Sequence, residues 1–248
     1  MKRTRILMGM TITVEVVDPK VKESDIASIF DYFVSIDKVF STYKKDSEIS
    51  KLNAGQLTKK QVSADVRQIL QLSEDTKRET NGYFNIVNNG VLDPSGIVKG
   101  WAIFNAANLL QEHGFKNYYV DAGGDIQVAG TNEKGELWKI GIKNPFRTDE
   151  IVKVVRLDNR GIATSGLYNR GDHIYNPHKP DKPISHIASM TVIGPTVYDA
   201  DRFATAAFAM EEKGIHFIEK LPGFDGYMID NKGIATMTSK FNRFVIDQ

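Results

Sequence analysis

Val197-Tyr-Asp-Ala-Asp-Arg-Phe-Ala-Thr-Ala-Ala-Phe-Ala-Met210 is an apolar, Ala-rich segment with acidic and hydroxyl side chains placed where a helix begins. Gly194-Pro-Thr196 interrupts the strand-like run before it, and Thr196 is placed to cap the helix. Asp201 and Thr205 lie four residues apart, so their oxygens fall one turn apart on one face. A carboxylate and a hydroxyl together on an otherwise apolar helix pack poorly and suit a hard cation such as Mg²⁺, which takes few protein oxygens and completes its shell from substrate phosphates. The plainer reading makes Asp201 a helix-start carboxylate meeting the dipole.

The rest of the chain divides into helices first and strands later. Ile26, Ile29, Phe30, Phe33, Ile36, Val39 and Phe40 recur at helical spacing and predict one amphipathic helix within residues 21–43. Asp46 or Ser47 opens a short second helix, Ser63 a third that stops near Asn81-Gly82, and the segment after Asp93 a fourth that runs to His113-Gly114. Alternating patterns predict strands at 11–17, 117–120, 125–128, 137–143, 151–157, from 161 onward, 187–193, 226–230 and 233–237. Short strands are also expected at Phe84-Asn-Ile-Val87 and at 241–246, and a helix at 214–221. The strands form a meander and not a βαβ series, which argues against a Rossmann sheet and for an α+β chain with mixed or antiparallel sheets, its length fitting one large domain or two small lobes around a shared cleft.

At 248 residues the chain is long enough for a full core. With 32 basic against 31 acidic side chains no broad field favours nucleic acid, and phosphate recognition must be local. The absence of cysteine excludes disulfides, thiolate metal sites and cysteine nucleophiles. No stretch approaches the roughly 20 apolar residues of a membrane span. The chain reads as cytoplasmic, and one whose secretory leader had been removed would read the same.

Three further stretches carry candidate chemistry. Asp93-Pro-Ser-Gly-Ile-Val-Lys99 opens a helix with exposed amides and a cation, an arrangement suited to a phosphate or to an ordinary loop with a good helix start. Asp121-Ala-Gly-Gly124 is a plain hairpin turn or a close backbone approach to a ligand. Residues 171–183 are too rich in Pro, Asp and Asn for regular structure, and carry His173 and His178.

Taken together these segments resemble the ApbE-type flavin transferases, in the family's order over nearly the whole chain. The matching pieces are Met8-Gly-Met10, Phe40-Ser-Thr-Tyr43, Asn81-Gly-Tyr-Phe-Asn-Ile86, Asp93-Pro-Ser-Gly-Ile-Val-Lys-Gly-Trp-Ala102, Val120-Asp-Ala-Gly-Gly-Asp-Ile126, Ala163-Thr-Ser-Gly166, His173-Ile-Tyr-Asn-Pro177 and Asp199-Ala-Asp-Arg-Phe-Ala-Thr205. The resemblance implies Mg²⁺-dependent transfer of FMN from FAD to a threonine of an acceptor flavoprotein, with AMP released. Hydrolysis of FAD to FMN and AMP, or storage of intact FAD, would use the same cleft. It also implies that Asp201 and Thr205 are the side-chain ligands of Mg²⁺, with a backbone carbonyl from the Gly96–Val98 turn. Ser95 and Lys99 would then hold the pyrophosphate, and His173 would lie near the transferred phosphate. Met10, Tyr43, Asp121, Gly123, Gly124, Thr164 and Ser165 would lie along the FAD.

Several of these residues have plainer readings: Lys99 as a surface cation, Tyr43 and Met10 as core, His173 and His178 as solvated loop histidines. The sequence also departs from the family pattern. Asn85 stands where the family has Asp, the usual long insertion before Asp93 is missing, and the stretch after His173 reads Asn176-Pro-His-Lys-Pro-Asp-Lys-Pro183.

Overall fold

A computed structural model describes residues 1–166 and 174–246. Strands β1 (Lys2–Leu7), β2 (Met10–Val16), β5 (Tyr118–Ala122), β6 (Asp125–Ala129), β9 (Gly161–Gly166), β10 (Ile187–Gly194), β11 (Asp225–Asp230) and β12 (Ala235–Met237) form one eight-stranded sheet in that spatial order. Every neighbouring pair in it is antiparallel. Hairpins β3 (Val87–Asn88) with β4 (Val91–Leu92), and β7 (Trp138–Lys143) with β8 (Ile151–Leu157), form two small sheets. The helices are α1 (Glu23–Phe40), α2 (Glu48–Asn53), α3 (Ala64–Glu79), α4 (Ser95–Glu112), α5 (Val197–Ala209) and α6 (Lys213–Glu219).

Sequence pattern and burial agree along the sheet. β2 alternates, with Ile12, Val14 and Val16 buried and the residues between them facing partly outward, because helices cover only one side at that end. β10 is buried on both sides, and its residues divide between two clusters: Met190 and Val192 pack with α5 and α6, while Ile193 packs against the β7–β8 hairpin. A separate cluster joins β2 and β5 to α1, α3 and α4. These packings make the two lobes, and α4 and α5 lie side by side where the lobes meet.

The caps follow from residue type. Ser47 accepts the Ser50 N–H at 3.0 Å, Ser63 accepts that of Val66 at 3.4 Å, and Thr196 accepts that of Asp199 at 3.1 Å. Three elements differ from expectation. Lys2–Leu7 is an edge strand where none is expected, and Met8-Gly9, at φ 54 and 70, is the tight turn of its hairpin. Phe84 and Ile86 are buried outside any strand, which starts only at Val87. Phe241–Phe244 is a 3₁₀ turn, with a lone bridge from Val245 to Val155 in place of a final strand. Among the described residues no helix is long and apolar enough to cross a membrane.

Candidate functional site

A cavity lies at the junction of the lobes. Two glycine turns form one wall: Met8-Gly9 brings Met10 to it, and Gly123-Gly124, at φ 63 and 96, joins β5 to β6. A Cβ on Gly123 would sit 3.2 Å from Met10 Sδ, and the φ of 63 would strain any side chain there, so glycine suits the close approach of the two turns. Asp121 holds the second turn by accepting the Gly124 N–H at 2.8 Å and the Tyr119 hydroxyl at 3.0 Å, and burial raises its carboxyl above the usual range. The other walls are the first turn of α4 with Ser95, Gly96 and Lys99, the end of β9 with Thr164 and Ser165, and the Asp201–Thr205 face of α5.

The close approach of α4 to α5 creates the chemistry. A Cβ on Gly100 would fall 2.6 Å from Asp201 Cβ and 2.8 Å from the Val197 carbonyl, so glycine alone fits there. Asp201 Oδ2 accepts the Gly100 N–H at 2.8 Å, and its carboxylate is 3% exposed. The helix-start reading of Asp201 therefore does not hold: Asp199 pairs with the Thr196 cap, and Asp201 faces the neighbouring helix and the cavity. Thr205 approaches the start of α4, with Cγ2 3.3 Å and Oγ1 3.7 Å from where a Gly96 Cβ would be, and Ser165 Oγ is 3.4 Å from Thr205 Oγ1.

Lys99 is no surface cation. Its side chain is 19% exposed and its ammonium sits 2.6 Å from Asp125 Oδ2 and 3.8 Å from Asp201 Oδ1. Two buried carboxylates thus share this ammonium. Among the described residues no three His, Asp or Glu side chains gather to hold an ion by themselves, so a metal ion beside Asp201 would need Thr205, backbone and substrate oxygens as well.

Burial pushes the Asp201 carboxyl up to about 7; the Lys99 ammonium pulls it back and the Asp125 carboxylate pushes it further. An unfolded aspartate titrates near ~3.9, so between there and neutrality the folded chain keeps a proton that the unfolded chain releases. The contribution of Asp201 to the stability of the metal-free protein then falls as pH rises through this window and stays reduced above it. Asp201→Asn removes the penalty and is expected to raise the melting temperature of metal-free protein near pH 8 by roughly 2–6 °C, and to change it little near pH 4. Thermal scans at both pH values check this, and an equal shift at the two would contradict it.

Among the residues expected at the site, Met10, Ser95, Lys99, Gly123, Thr164, Ser165, Asp201 and Thr205 line the cavity. Val98, Asp121 and Gly124 do not line it. Val98 is buried behind the first turn of α4, and Asp121 acts through its turn. Tyr43 is 96% exposed and off the cavity wall, which overturns the core reading. His173 lies outside the described residues. His178 is tied down: its Nε2 is 2.9 Å from the Asn81 carbonyl oxygen and its ring packs on Tyr83 at 4.5 Å.

Sequence reasoning missed Asp125, which directly follows the Gly-Gly turn, and Tyr175, whose hydroxyl donates to the Val87 carbonyl at 2.8 Å. Through Tyr175 and His178, the segment after residue 173 braces residues 81–88, whose Tyr83, Phe84, Asn85 and Ile86 form a wall of the cavity. The short β3–β4 hairpin stands where the long insertion is missing.

The model of the ApbE family matches residues 8–92 and 87–228. Curated relatives named FAD:protein FMN transferase include that of Haemophilus influenzae, 32% identical over 188 residues, which are 70% of this chain and 54% of the relative. The Escherichia coli relative is 29% identical over 63% of this chain and 48% of its own length. The chain thus spans about half the length of the curated relatives it matches. Solved structures share the fold: a flavin transferase ApbE from Vibrio cholerae has a TM-score of 0.85 at 23% identity, over 98% of both chains. An ApbE protein from Thermotoga maritima has 0.88 at 21% identity, over 100% of this chain and 99% of its own. With a cavity built from the same ordered motifs and a family model that matches most of its length, the chain belongs to the ApbE family.

Proposed function

We propose that this chain transfers FMN from FAD to a threonine hydroxyl of an acceptor flavoprotein in a Mg²⁺-dependent reaction that releases AMP. The observation that carries this reading is the Asp201–Thr205 face set against the first turn of α4, with two buried carboxylates sharing Lys99. The printed names of the relatives support the same activity.

In this reading the acceptor oxygen attacks the FMN-side phosphorus, the bond from that phosphorus to the bridging oxygen breaks, and AMP leaves with the electron pair. Asp201, Thr205 and a backbone oxygen of the Gly96–Val98 turn would hold Mg²⁺, which when bound neutralises pyrophosphate charge. Lys99 and the amides at the start of α4 bind the phosphates and fix their orientation, and the helix dipole favours their charge. His173 takes the proton of the attacking hydroxyl, since an unperturbed imidazole titrates near the working pH. The glycine turns at Met10 and Gly123 leave room for the flexible dinucleotide along the opposite wall.

The test is to incubate the protein with FAD and Mg²⁺, with and without a candidate acceptor, and to follow AMP and covalently bound flavin. AMP formed only with acceptor, together with flavin on the acceptor, is the expected outcome. AMP formed equally without acceptor would assign hydrolysis, and tight flavin binding without AMP would assign storage.

A further inference from the structure

Asp125 is 1% exposed and fixed from two directions: Oδ1 accepts the Thr164 N–H at 3.0 Å across to β9, and Oδ2 holds the Lys99 ammonium at 2.6 Å. The same ammonium is 3.8 Å from Asp201 Oδ1, on a stem of four carbons that can swing by an ångström at little cost. Two buried anions therefore compete for one cation, and the nearer one has it.

We propose that Asp125 is a positioning residue that holds the Lys99 ammonium off Asp201, so that Lys99 faces the phosphate part of the cavity and the Asp201 carboxylate is left to a cation. The inference rests on the metal-and-phosphate reading of the cavity and adds to it the device that keeps its two charges apart. Without the Asp125 charge, the Asp201 carboxylate, 3.8 Å away, is within reach of the Lys99 ammonium. Closing that pair would withdraw the lysine from an anionic ligand and occupy the carboxylate needed by a metal, in one movement.

This consequence separates positioning from a general field effect. Removing one negative charge from a site should by field alone strengthen an anion and weaken a cation. Collapse of Lys99 onto Asp201 weakens both.

The experiment uses Asp125→Asn in the whole chain, which keeps an oxygen to accept the Thr164 N–H. FAD is titrated in the presence of a chelator by flavin fluorescence, and Mn²⁺ is titrated without FAD by the spin resonance of the free ion. Both affinities are expected to fall, each by roughly tenfold. In the double variant Asp125→Asn with Asp201→Asn, Lys99 can no longer close upon an Asp201 carboxylate, and FAD affinity is expected to return to the wild-type value or above it, a rescue that misfolding would not produce.

Unchanged or tighter FAD binding in the single variant would overturn the proposal, and so would a double variant as weak as the single one. If the wild type binds neither FAD nor Mn²⁺, the reading of the cavity itself fails and takes this inference with it. If the wild type binds both and Asp125→Asn matches it, the inference alone fails.

Discussion

Asp201→Ala is expected to abolish metal-dependent turnover, with a loss on the order of a thousandfold or more in kcat, while the protein stays folded. The fold survives because the carboxylate contributes little to it. The Gly100 N–H that it accepts belongs to the interior of α4, and Lys99 keeps its shorter pair with Asp125. Removing the carboxyl also removes a buried charge whose desolvation opposes folding. Activity and stability should therefore move in opposite directions in this variant near pH 8. Release of AMP and the melting temperature, measured on the same preparation, check both halves. Wild-type turnover at ordinary Mg²⁺ would remove Asp201 from the metal site, and a collapsed melting temperature would show that its role is structural.

Gly100→Ala carries the second large effect, and here helix propensity and packing predict opposite signs. Alanine in a helix interior gains about 1 kcal/mol over glycine. At this position the new methyl would meet Asp201 Cβ at 2.6 Å and the Val197 carbonyl at 2.8 Å, both fixed by a neighbouring helix and not by a flexible tip. Overpacking of that kind costs typically 1–3 kcal/mol, so the net change is a destabilisation of up to about 2 kcal/mol, or as much as roughly 8 °C in melting temperature. The effect on the proposed reaction is larger, because α5 must yield and Asp201 moves with it; a misplacement of about 1 Å costs on the order of a hundredfold. A calorimetric scan and a kcat measurement decide the matter, and a variant more stable than wild type with full activity would show that the helices part without consequence.

What was legible in the sequence follows from how local each signal is. The helical spacing of Ile26, Ile29, Phe30, Phe33 and Ile36 predicts α1, and those side chains are all buried. Thr196 and the Asp121–Gly124 turn are equally local, each needing only a few neighbouring residues. β1 was missed because every residue from Lys2 to Ile6 is exposed, so an edge strand carries no apolar alternation to read. The end of the chain misleads in another way: Phe241 and Phe244, three apart, are eclipsed in a 3₁₀ turn and bury together, a spacing that strand periodicity does not reward. Phe84 and Ile86 alternate like a strand, yet they are buried as cavity wall. Asp125 is marked locally only by its place after the Gly-Gly turn, and its role is not, since its partners Lys99 and Thr164 lie far away in the chain and meet it only through tertiary packing.

The order of strands in the large sheet also sets when the site can exist. Ile12 pairs with Ala122 and Val14 with Val120, partners more than a hundred residues apart, with α1 to α4 threaded between them. Closing so long a loop is slow, and a chain emerging from the ribosome holds the β1–β2 hairpin without its sheet neighbour until β5 has been made. The second lobe needs no such wait, because β9 pairs with β10 and β10 with β11, each the next strand in the chain. The cavity draws Met10 from the first region, Lys99 and Gly123 from the middle and Asp201 from the last, so its walls come together only after α5 has been synthesised and docked. A chain halted before α5 would have most of its helices and no cavity.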